Sequence, residues 1–217
     1  MEFVTAAKST YHHGDLRNAL VLSAVRLIED DGLGEFSLRA TAREVGVSAN
    51  AAYRHFSDKA DLLTAVAQHG SDLLAQRMRR AMRATRAGTN PAERAVRRFK
   101  ATGRAYVEFA LAHPELFDVM FGRLRAQCLA PRDLAEGEAG TYALLGEALD
   151  ALVTSGVLAP AGRPGAELKA WVTVHGFARL CLDGAARVPS GSARTDALES
   201  LLDFAVAGIC QPARPLL

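Results

Sequence analysis

Residues 36–59, FSLRATAREVGVSANAAYRHFSDK, constrain the fold more than any other stretch of the chain. Ser37 can accept a backbone N–H bond and so start a helix. Leu38, Ala42 and Val45 then fall at helical spacing on one face. Gly46 can take the left-handed conformation that ends a helix. Val47 fixes the entry angle, and Ser48 caps a second helix expected over 49–56. A further helix starts directly after. This is the spacing of a helix-turn-helix, in which the second helix enters the major groove of DNA. A plain packing corner in an all-α protein has the same outline.

The texture of the second helix separates these readings. Ala49, Asn50, Ala51 and Ala52 are small, so the backbone could approach a groove floor closely. Tyr53, Arg54 and His55 follow, all able to donate to phosphates. Lys59 opens the next helix, where backbone N–H groups also attract anions.

At 217 residues the chain can bury one or two cores, and its 23% charged and 49% apolar content is that of a soluble globular protein. No apolar run approaches the ~18 residues needed to span a bilayer, and the N-terminus carries no secretory pattern. A cytoplasmic protein is expected. The net charge of +2 does not announce nucleic-acid binding, but positive charge is concentrated. Between Arg77 and Arg104 stand ten basic residues, Arg86 and Arg98 among them, against the single acid Glu93. They form either solvated helix faces or a flank that attracts anions. Cys128, Cys181 and Cys210 show no C-x-x-C spacing, so buried reduced thiols are expected rather than disulfides or zinc. No cofactor and no metal is expected.

Helical periodicity runs from end to end, and no strand period stands out. A flexible arm over 1–13 precedes a helix capped by Asp15 and ended by Gly32 and Gly34. After the helix-turn-helix, Ser57 or Asp58 caps a long helix. Pro91 suits the first turn of the next one. His113-Pro114 breaks that helix, and a short apolar helix ends at Phe121. The segment 132–140 is polar, a loop or the start of a helix reaching 155. A linker at 159–165 and two final helices over 166–187 and 194–209 complete an all-α chain of about nine helices. The reading divides it into 1–60, a DNA-binding unit, and 61–217, a helical body for ligand binding and dimerisation.

Tyr11-His-His-Gly-Asp-Leu-Arg, the helix ending Glu29-Asp-Asp-Gly, and FSLRATAREVGVSANAAYRHFSDKADLL together resemble a TetR-family transcriptional regulator. Trp171-Val-Thr-Val-His175-Gly176 resembles the Trp-His-Gly signature of one C-terminal domain type in that family. Two positions depart from the pattern. Thr41 stands where a large aliphatic residue is usual, its hydroxyl able to bond back to the helix. Ala51 and Ala52 replace positions that are often Thr and Leu, which leaves open the base edges read.

The resemblance implies a homodimer on a near-palindromic double-stranded DNA operator, released by a small-molecule effector. Asn50 is then a base reader able to pair adenine bidentately, or a helix-start residue bonded to its own backbone. Ala51 could touch a thymine methyl. Ser37, Arg39, Ser48, Tyr53, His55 and Lys59 are the expected phosphate contacts, with Ala49 beside them. Phe99, Tyr106, Phe109, Phe117, Met120, Phe121, Trp171, His175 and Phe177 line a largely apolar pocket or form core. His175, one turn from Trp171, is a pocket donor or a satisfied core histidine. Gly176, Leu180, Leu198, Leu201, Leu202, Phe204, Ala205 and Ile209 are expected at a four-helix dimer face. Coupling is expected through the long fourth helix and the His113-Pro114 break. The chain contains no H-E-x-x-H, no G-x-S-x-G and no Walker loop, which argues against an enzyme. An activator, or a helical protein-interaction module, would share most of these features.

Overall fold

The computed structural model describes residues 13–85, 90–122, 131–184 and 189–211. The expected arm before His13, Arg86 and Cys128 lie outside the described residues. Among the described residues there are nine α-helices and no strand: α1 His13–Glu35, α2 Leu38–Val45, α3 Ala49–Tyr53, α4 Lys59–Ala84, α5 Pro91–Ala112, α6 Pro114–Phe121, α7 Pro131–Thr154, α8 Ala166–Leu182 and α9 Gly191–Cys210. The chain divides into two compact units, up to Val66 and from Ala67 onward.

In the first unit, local chemistry sets each boundary. Helix α1 begins at His13, two residues before the expected cap, and breaks at Gly32, whose φ of 76° leaves helical space. The Ser37 hydroxyl accepts from the Ala40 N–H at 3.1 Å and starts α2. Gly46, at φ 78°, ends it. Ser48 accepts from the Ala51 N–H at 3.2 Å and starts α3. That helix stops at Tyr53 rather than Phe56. The His55 and Phe56 N–H groups both turn back to the Ala52 carbonyl, at 2.9 and 3.1 Å, and tighten the chain out of the helix. Phe56 is thereby drawn into the core, with the Arg17 guanidinium 4.9 Å from its ring centroid. Asp58 and Asp61 then cap α4 reciprocally: the Asp61 N–H donates to Asp58 Oδ1 at 2.8 Å and the Ser57 N–H to Asp61 Oδ2 at 2.9 Å.

Thr41 is fully buried, and its hydroxyl donates to the Ser37 carbonyl at 3.0 Å. The departure from a large aliphatic residue is therefore accommodated by a bond within the helix. Ala52 is also fully buried. It belongs to the core of this unit and not to the groove-facing surface suggested by its small size.

In the second unit α5 is central, packed against α7, α8 and α9. Asn90 caps it through the Ala92 N–H at 2.9 Å, with Pro91 in the first turn. Gly103 permits the close packing: a Cβ there would lie 2.6 Å from Leu202 Cδ2 and 3.2 Å from Val174 Cγ1. The polar stretch after Pro131 is helical and continues to Thr154. The glycine- and proline-rich linker holds a single 3-10 turn, Pro160–Gly162. It is tied down by Arg163, which pairs with Asp150 at 2.6 Å and Glu167 at 2.7 Å.

Part of the basic stretch is taken up in ion pairs. Lys100 meets Asp203 at 2.7 Å and Glu199 at 3.2 Å, Arg104 meets Glu199 at 2.5 Å, and Arg97 meets Glu93 at 3.3 Å. Burial opposes the charge on Lys100, but its bonds to Asp203 and Glu199 outweigh that and raise its pKa above the usual lysine value. Cys181 and Cys210 are half-buried free thiols, each with its pKa pushed up by burial, so neither is activated.

Candidate nucleic-acid interface and ligand cavity

The two serine caps and the Gly46 corner leave one side of α2 and α3 facing out. Arg39, Ser48, Asn50 and Lys59 are exposed, Tyr53 is 45% exposed, and Ser37, Ala49, Ala51 and His55 are partly so. The Asn50 amide makes no hydrogen bond to any described residue, so the alternative in which it bonds its own backbone is not realised. Ser37 and Ser48 use an oxygen lone pair as helix caps and keep their O–H for another partner. Lys59 has a second role that the sequence did not reveal. Its Nζ donates to the Leu33 carbonyl at 3.3 Å and sits 5.2 Å from the Phe36 ring centroid, holding the α1–α2 connection.

The second unit contains a partly open cavity of about 40 Å³. Its walls are Met78 of α4, Phe99, Thr102, Gly103 and Tyr106 of α5, Phe121 of α6, Thr141, Tyr142 and Leu145 of α7, Ala170, Trp171 and Val174 of α8, and Leu202 and Ala205 of α9. Of the nine residues expected around a pocket, Phe99, Tyr106, Phe121 and Trp171 line it. Phe109, Phe117 and Met120 do not; they are at most 1% exposed and fill the core. Phe177 is half-buried and away from the walls. Thr102 and Gly103 were legible in principle, since they lie between Phe99 and Tyr106 on the same helical face. Tyr142 carries no such local signal.

His175 stands behind the cavity wall. Its Nδ1 lies 2.8 Å from the Tyr106 hydroxyl, which also accepts from Trp171 Nε1 at 3.1 Å. The rings of Trp171, Phe121 and Phe117 surround it with centroids 5.4, 5.4 and 5.5 Å away. Burial, and then the nearby Arg179 charge, lower the His175 pKa below its usual 6.5, so the imidazole is neutral at pH 7. Arg179 in turn pairs with Asp118 of α6 and, at 2.7 Å, with Asp183.

The expected dimer-face residues divide in two. Leu198, Leu202, Ala205 and Ile209 are buried within the subunit, because their spacing makes one inward stripe along α9. They are core, and two of them are cavity wall. Gly176 and Leu201 are partly exposed, while Leu180 is 51% and Phe204 70% exposed. Leu168 and Val172, at 56% and 58%, extend the outer face of α8. Among the described residues there is no group of three or more His, Cys, Asp or Glu side chains placed to hold a metal ion. No described helix is long and apolar enough to cross a membrane.

A capped, glycine-cornered helix pair that turns its donors outward, followed by a separate helical body, defines a helix-turn-helix DNA-binding regulator. Comparison with known proteins gives the family. Residues 20–66 match the bacterial regulatory proteins, tetR family, and residues 99–205 match the tetracyclin repressor-like, C-terminal domain, within which Trp171, His175 and Gly176 lie. A protein with unknown function from Rhodococcus sp. RHA1 is 32% identical, with a TM-score of 0.76 over 94% of this chain and 100% of that one. A TetR family transcription regulator from Marinobacter aquaeolei VT8 is 21% identical, with a TM-score of 0.62 over 88% and 93%. The transcriptional regulator FadR from Bacillus subtilis, in complex with stearoyl-CoA, is 17% identical, with a TM-score of 0.69 over 88% and 98%. The last two share the fold with this chain. No protein of curated function matches it. The chain belongs to the TetR family of bacterial regulatory proteins and is a transcriptional regulator.

Proposed function

We propose that this regulator is a repressor that grips a near-palindromic operator as a homodimer and releases it when a small, largely apolar molecule enters the cavity. The observation that carries the reading is Asn50. Its amide is exposed and without a bond to any described residue, on a short helix whose other side is locked into the core through the fully buried Ala52. An amide presented this way can bond adenine N6 and N7 together. Arg39, Ser48, Tyr53, His55 and Lys59 surround it as phosphate donors, with Ser37 one helix earlier and Ala49 and Ala51 making room for the groove.

Pairing two such helices in successive major grooves requires roughly 34–36 Å between them, or a small multiple. The outer face of α8 and α9, with Leu168, Val172, Leu180 and Phe204 exposed, supports pairing through a four-helix bundle. The cavity supports release. At about 40 Å³ it holds only a few waters, so an effector must part its walls. Phe121 of α6 is one of those walls. Met120 and Leu116 of the same helix press on Gly70 of α4, the helix that begins at Lys59. An effector that fits only the parted form weakens DNA binding by its difference in affinity for the two forms.

Fluorescence anisotropy with DNA from upstream of the protein's own coding region tests the reading. Tyr53→Phe and Lys59→Ala weaken binding to every sequence, and Lys59→Ala lowers the salt slope by about one. Asn50→Ala changes base preference. Equal loss across all operator variants for Asn50→Ala refutes its role as a reader. Phe204→Glu yields monomers in sedimentation; a dimer that survives it places the pairing face elsewhere.

A further inference from the structure

The cavity walls carry a chemical preference. Among the described lining residues none is charged, whereas Phe99, Tyr106, Phe121, Tyr142 and Trp171 supply five aromatic rings. Four basic side chains on the neighbouring elements are committed elsewhere, and a fifth, Arg98 of α5, has a buried Nε without a partner but is not among the wall residues. Lys100 and Arg104 of α5 are held by Glu199 and Asp203, Arg179 of α8 by Asp118 and Asp183, and Arg163 by Asp150 and Glu167. Each of these pairs ties two helices or a helix and its connection together. Recruiting one of the cations to a ligand would break that tie and strand a carboxylate.

We infer that the cavity takes an uncharged, ring-bearing molecule and excludes carboxylates and acyl-CoA thioesters. An anion moved from water onto these walls loses its hydration and meets no counter-ion among the described lining residues. His175, bonded to the wall residue Tyr106, gives none either, because burial and Arg179 keep it neutral. Flat rings match the walls by offset and edge-on packing, in which Phe121 and Trp171, with centroids 6.2 Å apart, already engage. The inference rests on the proposed function in placing the effector here. It departs from what the FadR structure holds, which is stearoyl-CoA.

Paired probes of equal shape test it. 2-Naphthol and 2-naphthoate are titrated into the full chain at pH 7.5, with 1-decanol as an uncharged chain and stearoyl-CoA as the charged one. Trp171 is the only tryptophan and lines the cavity, so quenching of its emission locates the binding. The expected result is that 2-naphthol binds at least about tenfold more tightly than 2-naphthoate, with 1-decanol weaker and stearoyl-CoA without effect. Leu145→Arg puts a cation on the wall from a half-buried position where its stem can lie along the surface, and reverses the preference between the naphthol and the naphthoate. Equal or tighter binding of 2-naphthoate or stearoyl-CoA to the unsubstituted protein overturns the inference, and so does failure of 2-naphthol to bind. Tighter binding of 1-decanol than of 2-naphthol overturns the ring requirement. Operator binding measured on the same preparation keeps the two readings apart. A protein that holds DNA but prefers the charged probes remains a repressor and loses this ligand class, and one that takes 2-naphthol without holding DNA does the reverse.

Discussion

Tyr106→Phe removes one oxygen atom from the junction of α5 and α8 and leaves every ring in place. That oxygen accepts from Trp171 Nε1 at 3.1 Å and shares a proton with His175 Nδ1 at 2.8 Å. Without it the indole N–H and one imidazole nitrogen lose their partner. A neutral hydrogen bond contributes about 1 kcal/mol net, and a fully buried stranded group costs about 1–3 kcal/mol. Trp171 and His175 are only half-buried, so water recovers part of the loss. The edge-on contact of Tyr106 with Phe117, at 5.8 Å and 84°, needs no hydroxyl and is kept. The net expectation is a loss of about 1–2 kcal/mol. Urea unfolding at pH 7.5 and fixed protomer concentration, followed by Trp171 emission, measures it as a fall in midpoint at unchanged slope. A double-mutant cycle with His175→Leu then isolates the pair, with an expected coupling of at least about 0.5 kcal/mol. A Tyr106→Phe loss below about 0.5 kcal/mol, or strict additivity with His175→Leu, would show that the hydroxyl holds nothing together.

Three further outcomes follow from the same packing. His175 has its folded pKa lowered, so below the unfolded value of 6.5 the unfolded chain binds more protons than the folded one; stability therefore falls as pH drops from 6.5 toward the folded pKa, and His175→Leu flattens that part of the urea-midpoint profile. Gly70→Ala places a Cβ 2.6 Å from Met120 Sδ and 3.2 Å from Leu116 Cδ1. The helix gains about 1 kcal/mol from alanine but loses about 1–3 kcal/mol to overpacking, so the variant melts lower, and adding Met120→Val recovers the melting temperature. Thr41→Val deletes a buried hydroxyl whose acceptor, the Ser37 carbonyl, is also served by the Thr41 N–H at 3.0 Å; unfolding free energy changes by less than about 0.5 kcal/mol, whereas Thr41→Ala loses about 1 kcal/mol to the missing methyl group.

The helix-turn-helix was legible because its signals are local. Ser37, Gly46 and Ser48 act within four residues of themselves, and each does in the structure what its chemistry suggests. The end of α3 was not legible. The chain leaves the helix after Tyr53 so that Phe56 can enter the core, and that core is assembled from distant segments. The same holds for Lys59, whose partner carbonyl on Leu33 lies 26 residues away. Trp171 and His175 share a helical face at a spacing anyone can count, but Tyr106, which bonds both, comes from 65 and 69 residues earlier. Sequence named four of the cavity's rings and could not separate them from the core rings, because Phe117 and Phe121 share one face of α6 and differ only in how far distant helices cover them.

Helix α9 shows why periodicity alone misassigned its faces. It carries two apolar stripes: one through Leu198, Leu202, Ala205 and Ile209, the other through Leu201 and Phe204. A hydrophobic pattern on both sides says that both are covered by something, but not by what. The structure supplies the missing fact at Gly103, whose lack of a side chain lets Leu202 come down onto α5 and fixes the first stripe inward. The second stripe is then left outward, with Phe204 among the most exposed large apolar side chains described. One consequence joins the two proposed activities. Leu202 and Ala205 are cavity wall, and Phe204 stands between them in sequence on the opposite side of the same helix. A molecule that parts the cavity presses on the inner stripe. A helix that moves as a rigid rod carries its outer stripe with its inner one, so in the proposed dimer the wall and the proposed pairing face would move together.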